Sequence, residues 1–119
     1  MGFSKTGLAV STFCLAACFL DSVPSLADRH CLPALNAYYG ARYALHDESA
    51  ACVPALEQAL EALRSAVDHA NVCGCGQLVE TIKPLIEDPE GGEAGCRRRA
   101  AEILGQSERV KALVDACNH

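Results

Sequence analysis

Cys73-Gly74-Cys75-Gly76 stands at the centre of a cysteine series completed by Cys31, Cys52, Cys96 and Cys117, with intervals of 21, 21, 2, 21 and 21 residues. An even set of cysteines this regularly spaced in a short chain reads as three disulfides. A bridge between Cys73 and Cys75 themselves would close a badly strained ring, so these two reach different partners, and the remaining pairings stay open. A bridge that closes a loop of some tens of residues stabilises a fold by about 3 to 4 kcal/mol in the chain-entropy model. Three such bridges contribute on the order of 10 kcal/mol, comparable with the whole stability of a small domain. Cross-links of that strength free the interior from having to be filled by bulky side chains. The competing reading of Cys-Gly-Cys is a soft-metal or redox site, but zinc needs two further ligands at short spacing. His30, His46, His69 and His119 offer no ligand pair at helical spacing. The expectation is therefore no metal and no cofactor.

Working outward from the cysteines, Lys5 precedes a run of thirteen mostly apolar residues, Leu8 to Leu20, followed by small residues at Ser25 and Ala27 and then charged Asp28-Arg29-His30. This is the plan of a secretory signal. Thirteen helical residues rise only about 20 Å, too little for a hydrocarbon core of roughly 30 Å. The organisation expected is a signal peptide over residues 1–27 and a single six-cysteine domain over 28–119, secreted and extracellular. Cleavage there removes Cys14, Cys18, every Phe and the only Met, and leaves 92 residues with Tyr38, Tyr39 and Tyr43 as the only aromatics. The chain carries 10 Lys and Arg against 15 Asp and Glu, which excludes a basic footprint for nucleic acid. Arg97-Arg98-Arg99 is too short a run to supply one and reads as a solvated helix face.

Helical periodicity dominates the 28–119 segment. Pro33 suits a first turn, and Leu32, Leu35, Tyr39 and Tyr43 step by three, four and four along one stripe up to about His46. A second helix starts around Val53-Pro54, carries Leu56, Leu60, Leu63 and Val67, and ends before the glycines of Cys-Gly-Cys-Gly. A third is expected over Gln77 to Glu87, with Pro84 kinking it or shortening its ladder. Asp88-Pro89-Glu90-Gly91-Gly92 is a loop. Cys96 to Leu104 reads as a fourth helix stopped by Gly105, and Ser107 as the cap of a last one bearing Val110, Leu113, Val114 and Cys117. No stretch alternates with period two. The fold class expected is all-α, four or five short helices cross-linked by three disulfides. With 16 Ala against 10 Leu in 28–119, the helices either close on a tight small core or form a shell around an apolar cavity.

The cysteine intervals, together with Ala37-Tyr38 inside the first, the segment Cys75-GQLVETIKPLIEDPEGGEAG-Cys96 and an end two residues after the sixth cysteine, resemble the elicitin and elicitin-like family of oomycetes. This sequence departs from that pattern where only Gly74 separates the central cysteines, and where a single Pro89 followed by glycines replaces adjacent prolines. The Cys-x-Cys centre is also similar to plant non-specific lipid-transfer proteins, which carry an additional disulfide. The elicitin resemblance implies pairs Cys31–Cys96, Cys52–Cys75 and Cys73–Cys117. The commoner lipid-transfer pattern implies Cys31–Cys75 and Cys52–Cys96, again with Cys73–Cys117.

Both resemblances imply an apolar ligand enclosed among helices, and the elicitin one a sterol carrier that triggers plant defence. The leading expectation is a secreted carrier of a sterol, fatty acid or similar lipid. Its cavity would be lined, on the helical stripes, by Leu35, Tyr39, Tyr43, Leu56, Leu60, Leu63, Leu78, Ile82 and Val114, with a tyrosine hydroxyl meeting the polar end of the ligand. The alternative is a secreted effector, toxin or inhibitor acting through protein contact, for instance on a host extracellular or membrane receptor. Enzymatic activity is not expected. His46-Asp47 is similar to the catalytic pair of secreted phospholipases but lacks the preceding Cys-Cys and calcium loop, no serine lies in a Gly-x-Ser-x-Gly elbow, and Glu57 with Glu61 read as a solvated face.

Overall fold

Pro33 has no N–H to leave unpaired in a first helical turn, and in the computed structural model of the chain the first helix among the described residues, α1, spans Leu32–Ala44. The structure describes residues 30–47, 50–87 and 91–118. The signal segment expected at 1–27, and Asp88, Pro89 and Glu90 of the expected loop, lie outside the described residues. Four more helices follow: α2, Cys52–Val72; α3, Gly76–Ile86; α4, Gly92–Gly105; and α5, Ser107–Cys117. There is no strand among the described residues, and the chain is all-α with three disulfides.

The longest helix, α2, is the spine. Its 21 residues bury Cys52, Leu56, Ala59, Leu60, Leu63, Ala66 and Ala70, a face stepping mainly by three and four. α1 lies along one side and α3 along the other, while α4 and α5 close the remaining side. Alanines set the spacing between α1 and α2: a Cβ added at Gly40 would stand 3.8 Å from the Cβ of Ala62, an ordinary contact distance. The buried face of α1 is Ala34, Leu35, Tyr38 and Ala41, not the expected stripe of Leu32, Leu35, Tyr39 and Tyr43. Small residues at 34 and 41 let α1 lie close on α2, which turns Leu32, Tyr39 and Tyr43 outward. Of the three tyrosines only Tyr38 is fully buried, and its hydroxyl donates to the Ile103 carbonyl of α4.

The turn between α2 and α3 decides the cross-linking. Gly74 adopts φ +77°; its N–H donates to the Asn71 carbonyl at 3.2 Å, and the Cys75 N–H to the Ala70 carbonyl at 3.0 Å. These two bonds are the Schellman closure of a helix, in which a left-handed residue reverses the chain. Cys73 thereby stays at the end of α2 and pairs with Cys31 before α1, while Cys75 opens α3 and pairs with Cys117 at the end of α5. Cys52, at the start of α2, pairs with Cys96 in α4. The Cα–Cα distances are 5.5, 5.9 and 6.1 Å, ordinary for disulfides. Cys52–Cys96 agrees with the lipid-transfer pattern, but both resemblances place Cys73 with Cys117, and here Cys75 takes that partner.

Several helix ends are closed by side chains from elsewhere in the chain. The Cys31 N–H donates to Asn118 Oδ1 at 2.8 Å, so the last turn of the chain caps the first. Pro84 lies inside α3 without ending it, and the C-terminal carbonyls of Leu85 and Glu87 accept from the Arg99 guanidinium. Arg99 also pairs with Glu102 at 2.8 Å. α4 starts four residues before the expected Cys96, with Glu93 in its first turn pairing Arg97 at 2.7 Å. Ser107 does not cap α5 as expected; its hydroxyl donates backward to the Leu104 carbonyl at 2.9 Å, closing α4.

Burial pushes the Tyr38 phenol up to about 12, against a smaller lowering by Arg42. The neutral phenol is the form the fold favours, so its stabilisation is complete below about pH 10 and is lost as pH rises through about 12. Urea titrations of the wild-type protein are expected to lose stability across that interval. Tyr38→Phe is expected to be about 1 kcal/mol less stable at neutral pH through loss of the hydrogen bond, and to lack the component of the alkaline decline due to Tyr38. Gly74→Ala places a Cβ on a left-handed residue and is expected to cost about 1 kcal/mol in thermal or urea unfolding. Gly76→Ala, with open space around its Cβ position and no positive φ, is expected to be neutral or mildly stabilising.

Candidate functional site

Seven of the nine side chains expected to line a cavity do come together. Leu35, Leu56, Leu60, Leu63, Leu78, Ile82 and Val114 all belong to one buried cluster, none more than 8% exposed. They share it with Tyr38, Ile103 and Val110, which the helical stripes did not assign to a ligand site, and with the alanines of α1 and α2. Tyr39 and Tyr43 are the other two, and they lie outside this cluster, 37% and 81% exposed.

These two tyrosines belong instead to an open groove of about 580 Å³ beside the end of α1, lined by Tyr39, Arg42, Tyr43, Leu45, His46 and Leu104. The last turns of α1 supply the first three, the turn that follows supplies Leu45 and His46, and the end of α4 supplies Leu104. The Tyr43 and His46 rings stack with centroids 6.5 Å apart and planes within 9°. The Arg42 guanidinium lies 5.5 Å from the centre of the Tyr39 ring, a cation–π arrangement that holds the charge at the groove wall. Arg42 also sits where the last carbonyls of α1 favour a positive charge.

The electrostatics of the groove differ from those of the chain. The protein has a net charge of −5, yet among the described residues no carboxylate lines this groove, and the Arg42 guanidinium stands beside three rings and two leucines. A smaller hollow of about 250 Å³ shares Leu45 and Leu104 with it and is lined further by Cys52, Ala55, Ala100 and Ala101 together with Asp47 and Arg97. Volumes of several hundred Å³ with a mainly apolar lining and one fixed polar group are those of small-molecule sites. By contrast, the groove between α3 and the α4–α5 junction sets Pro84 and Leu85 among Gln77, Glu80, Thr81, Glu102, Gln106 and Arg109, so that polar groups form the larger part of its wall.

The only group of three or more potential metal ligands among the described residues is the sulfurs of Cys31, Cys75 and Cys117. All three are engaged in disulfides, which leaves no thiolate to hold a metal.

Sequence periodicity missed the groove because its residues are split between a helix end, a turn and a second helix sixty residues further on. The available signal was the density of Tyr39, Arg42, Tyr43 and His46 in one short segment, which reads as an interior stripe only if Tyr38 is not the residue facing inward. None of the described helices is long and apolar enough to cross a membrane, and three disulfides place the protein in an oxidising environment. No family model, curated protein or solved structure matches the chain.

Proposed function

We propose that the chain is a secreted, non-enzymatic carrier of an apolar molecule with an acidic head, such as a fatty acid, held in the groove beside α1. The observation that carries this reading is the lining: rings and leucines around Arg42, with no carboxylate among the described residues that line it, on an otherwise acidic protein. A hydrocarbon chain laid against Tyr39, Tyr43, Leu45 and Leu104 leaves water at about 25 cal/mol per Å² of apolar surface buried, before association costs. A carboxylate reaching Arg42 gains a charge-assisted hydrogen bond. In so open a site the ion pair is worth about 1 kcal/mol or less, so the chain supplies most of the affinity and the head group selects among ligands. A fatty acid fits this arrangement better than a sterol, whose hydroxyl makes less use of a guanidinium.

A second reading has an observation of its own. Leu32, at the far end of α1, is 50% exposed and continues the stripe of Tyr39 and Tyr43 beyond the groove. A stripe of this kind suits contact with another protein, and favours an effector, toxin or inhibitor that meets a receptor through α1.

The test is displacement of a fluorescent long-chain fatty acid from the fully oxidised protein by unlabelled fatty acid, the matching alcohol and a sterol. Fatty acid is expected to displace best. Arg42→Gln is expected to weaken fatty acid by up to about fivefold while leaving the alcohol unchanged, and Leu104→Glu to abolish uptake of both. Failure of the oxidised protein to take up the probe overturns the carrier reading and leaves the protein-contact one.

A further inference from the structure

The sulfurs of Cys31, Cys75 and Cys117 lie within 4.8 Å of one another. Two of the three disulfides, Cys31–Cys73 and Cys75–Cys117, therefore meet at the Cys-Gly-Cys turn; Cys73 is outside that sulfur group but bonded to its member Cys31, whereas neither Cys52 nor Cys96 belongs to it or is bonded to it. Sulfur exchange requires a near-attack separation of about 3 to 3.5 Å, which for attack of Cys75 on Cys31 is within roughly an ångström or two of what the fold already holds. The residue between the paired cysteines is Gly74, which has open space around it and the backbone freedom to re-aim either neighbour.

We propose that these two bridges form an exchange-competent pair, able to pass from Cys31–Cys73 with Cys75–Cys117 to Cys31–Cys75 with Cys73–Cys117, catalysed by an external small thiol and with Cys52–Cys96 left intact. Cys31 and Cys75 are buried, and Cys73 and Cys117 are half-buried, so the external thiolate attacks Cys117 Sγ. The Cys75–Cys117 bond breaks, a mixed disulfide forms on Cys117, and Cys75 leaves as a thiolate. Cys75 then attacks Cys31 Sγ, forming Cys31–Cys75 and releasing the Cys73 thiolate. Cys73 attacks Cys117 Sγ of the mixed disulfide, forms Cys73–Cys117 and returns the external thiolate. Two disulfides are present at the start and at the end, nothing is oxidised or reduced overall, and the thiol is regenerated.

The exchange changes which end of the Gly74 turn is anchored to α1 and which to α5. It thus alters the junction of α2 and α3 without opening the α2 to α4 bridge. It requires neither a ligand in the groove nor the carrier function.

Two measurements test this. In Cys117→Ser, Cys75 is left as a thiol beside Cys31–Cys73. Timed alkylation followed by tandem mass spectrometry is expected to find the label first on Cys75 and then divided between Cys75 and Cys73. In the wild-type protein, a trace of reduced glutathione at about pH 8.5, where roughly half of an ordinary thiol is ionised, is expected to produce the second pairing. Fragmentation within the Cys73–Cys75 peptide distinguishes the two forms. Label confined to Cys75 together with an unchanged wild-type pairing overturns the proposal. So does the appearance of Cys52 or Cys96 in new bridges, which would mean that exchange follows general unfolding.

Discussion

The reversal of the chain at Gly74 is the constraint on which the rest of the structure depends. A left-handed residue between two cysteines sends one to the start of α1 and the other to the end of α5. Both ends of the domain are thereby tied to the middle of the chain. Each bridge closes a loop of 42 to 44 residues, for which the chain-entropy model assigns about 4 kcal/mol. The side chain of Asn118 adds a hydrogen bond to the same junction, from the last helix to the first residue of the framework. A domain with neither Phe nor Trp in its 28–119 segment can hold together because its unfolded chain is restricted, not because its interior is large.

Restriction by cross-links permits either a hollow interior or a tight small core, and the helices here use their alanines to approach one another. Ala34 and Ala41 of α1 and Ala59 and Ala66 of α2 are all fully buried, and with Tyr38 and the leucines and isoleucine of α2 and α3 they form one cluster. Burying Tyr38 has a second consequence. On a helix, residues 39 and 43 lie one position round from 38 and 42, so a face that admits Tyr38 presents Tyr39 and Tyr43 outward, where Arg42 and His46 pack against them. The groove is thus a by-product of which tyrosine could satisfy its hydroxyl inside, by donating to Ile103.

Much of the fold was legible without coordinates. The steps of Leu56, Leu60 and Leu63 located α2, the apolar positions Leu78, Ile82 and Leu85 located α3, Gly105 marked the end of α4, and the even cysteine count gave three bridges. Less was legible where a local pattern had two readings. The stripe of Leu32, Tyr39 and Tyr43 is real, but periodicity does not say whether a stripe faces the core or water when an alternative face carries Ala34, Tyr38 and Ala41. Ser107 has the chemistry of a cap for either adjoining helix, and the single residue between α4 and α5 let it close the earlier one.

The sequence by itself determined the all-helical class, the number of cross-links and the incompatibility of Cys73 and Cys75 as partners, because these follow from spacing, turn chemistry and ring strain along one segment. Only the tertiary structure decided which cysteine joins which, which tyrosine enters the core, and that Leu104 and Tyr43 line one groove. Those outcomes depend on how helices far apart in the chain rotate and approach, and that is set by the joint packing of small side chains and by a single left-handed glycine, not by any one stretch of residues.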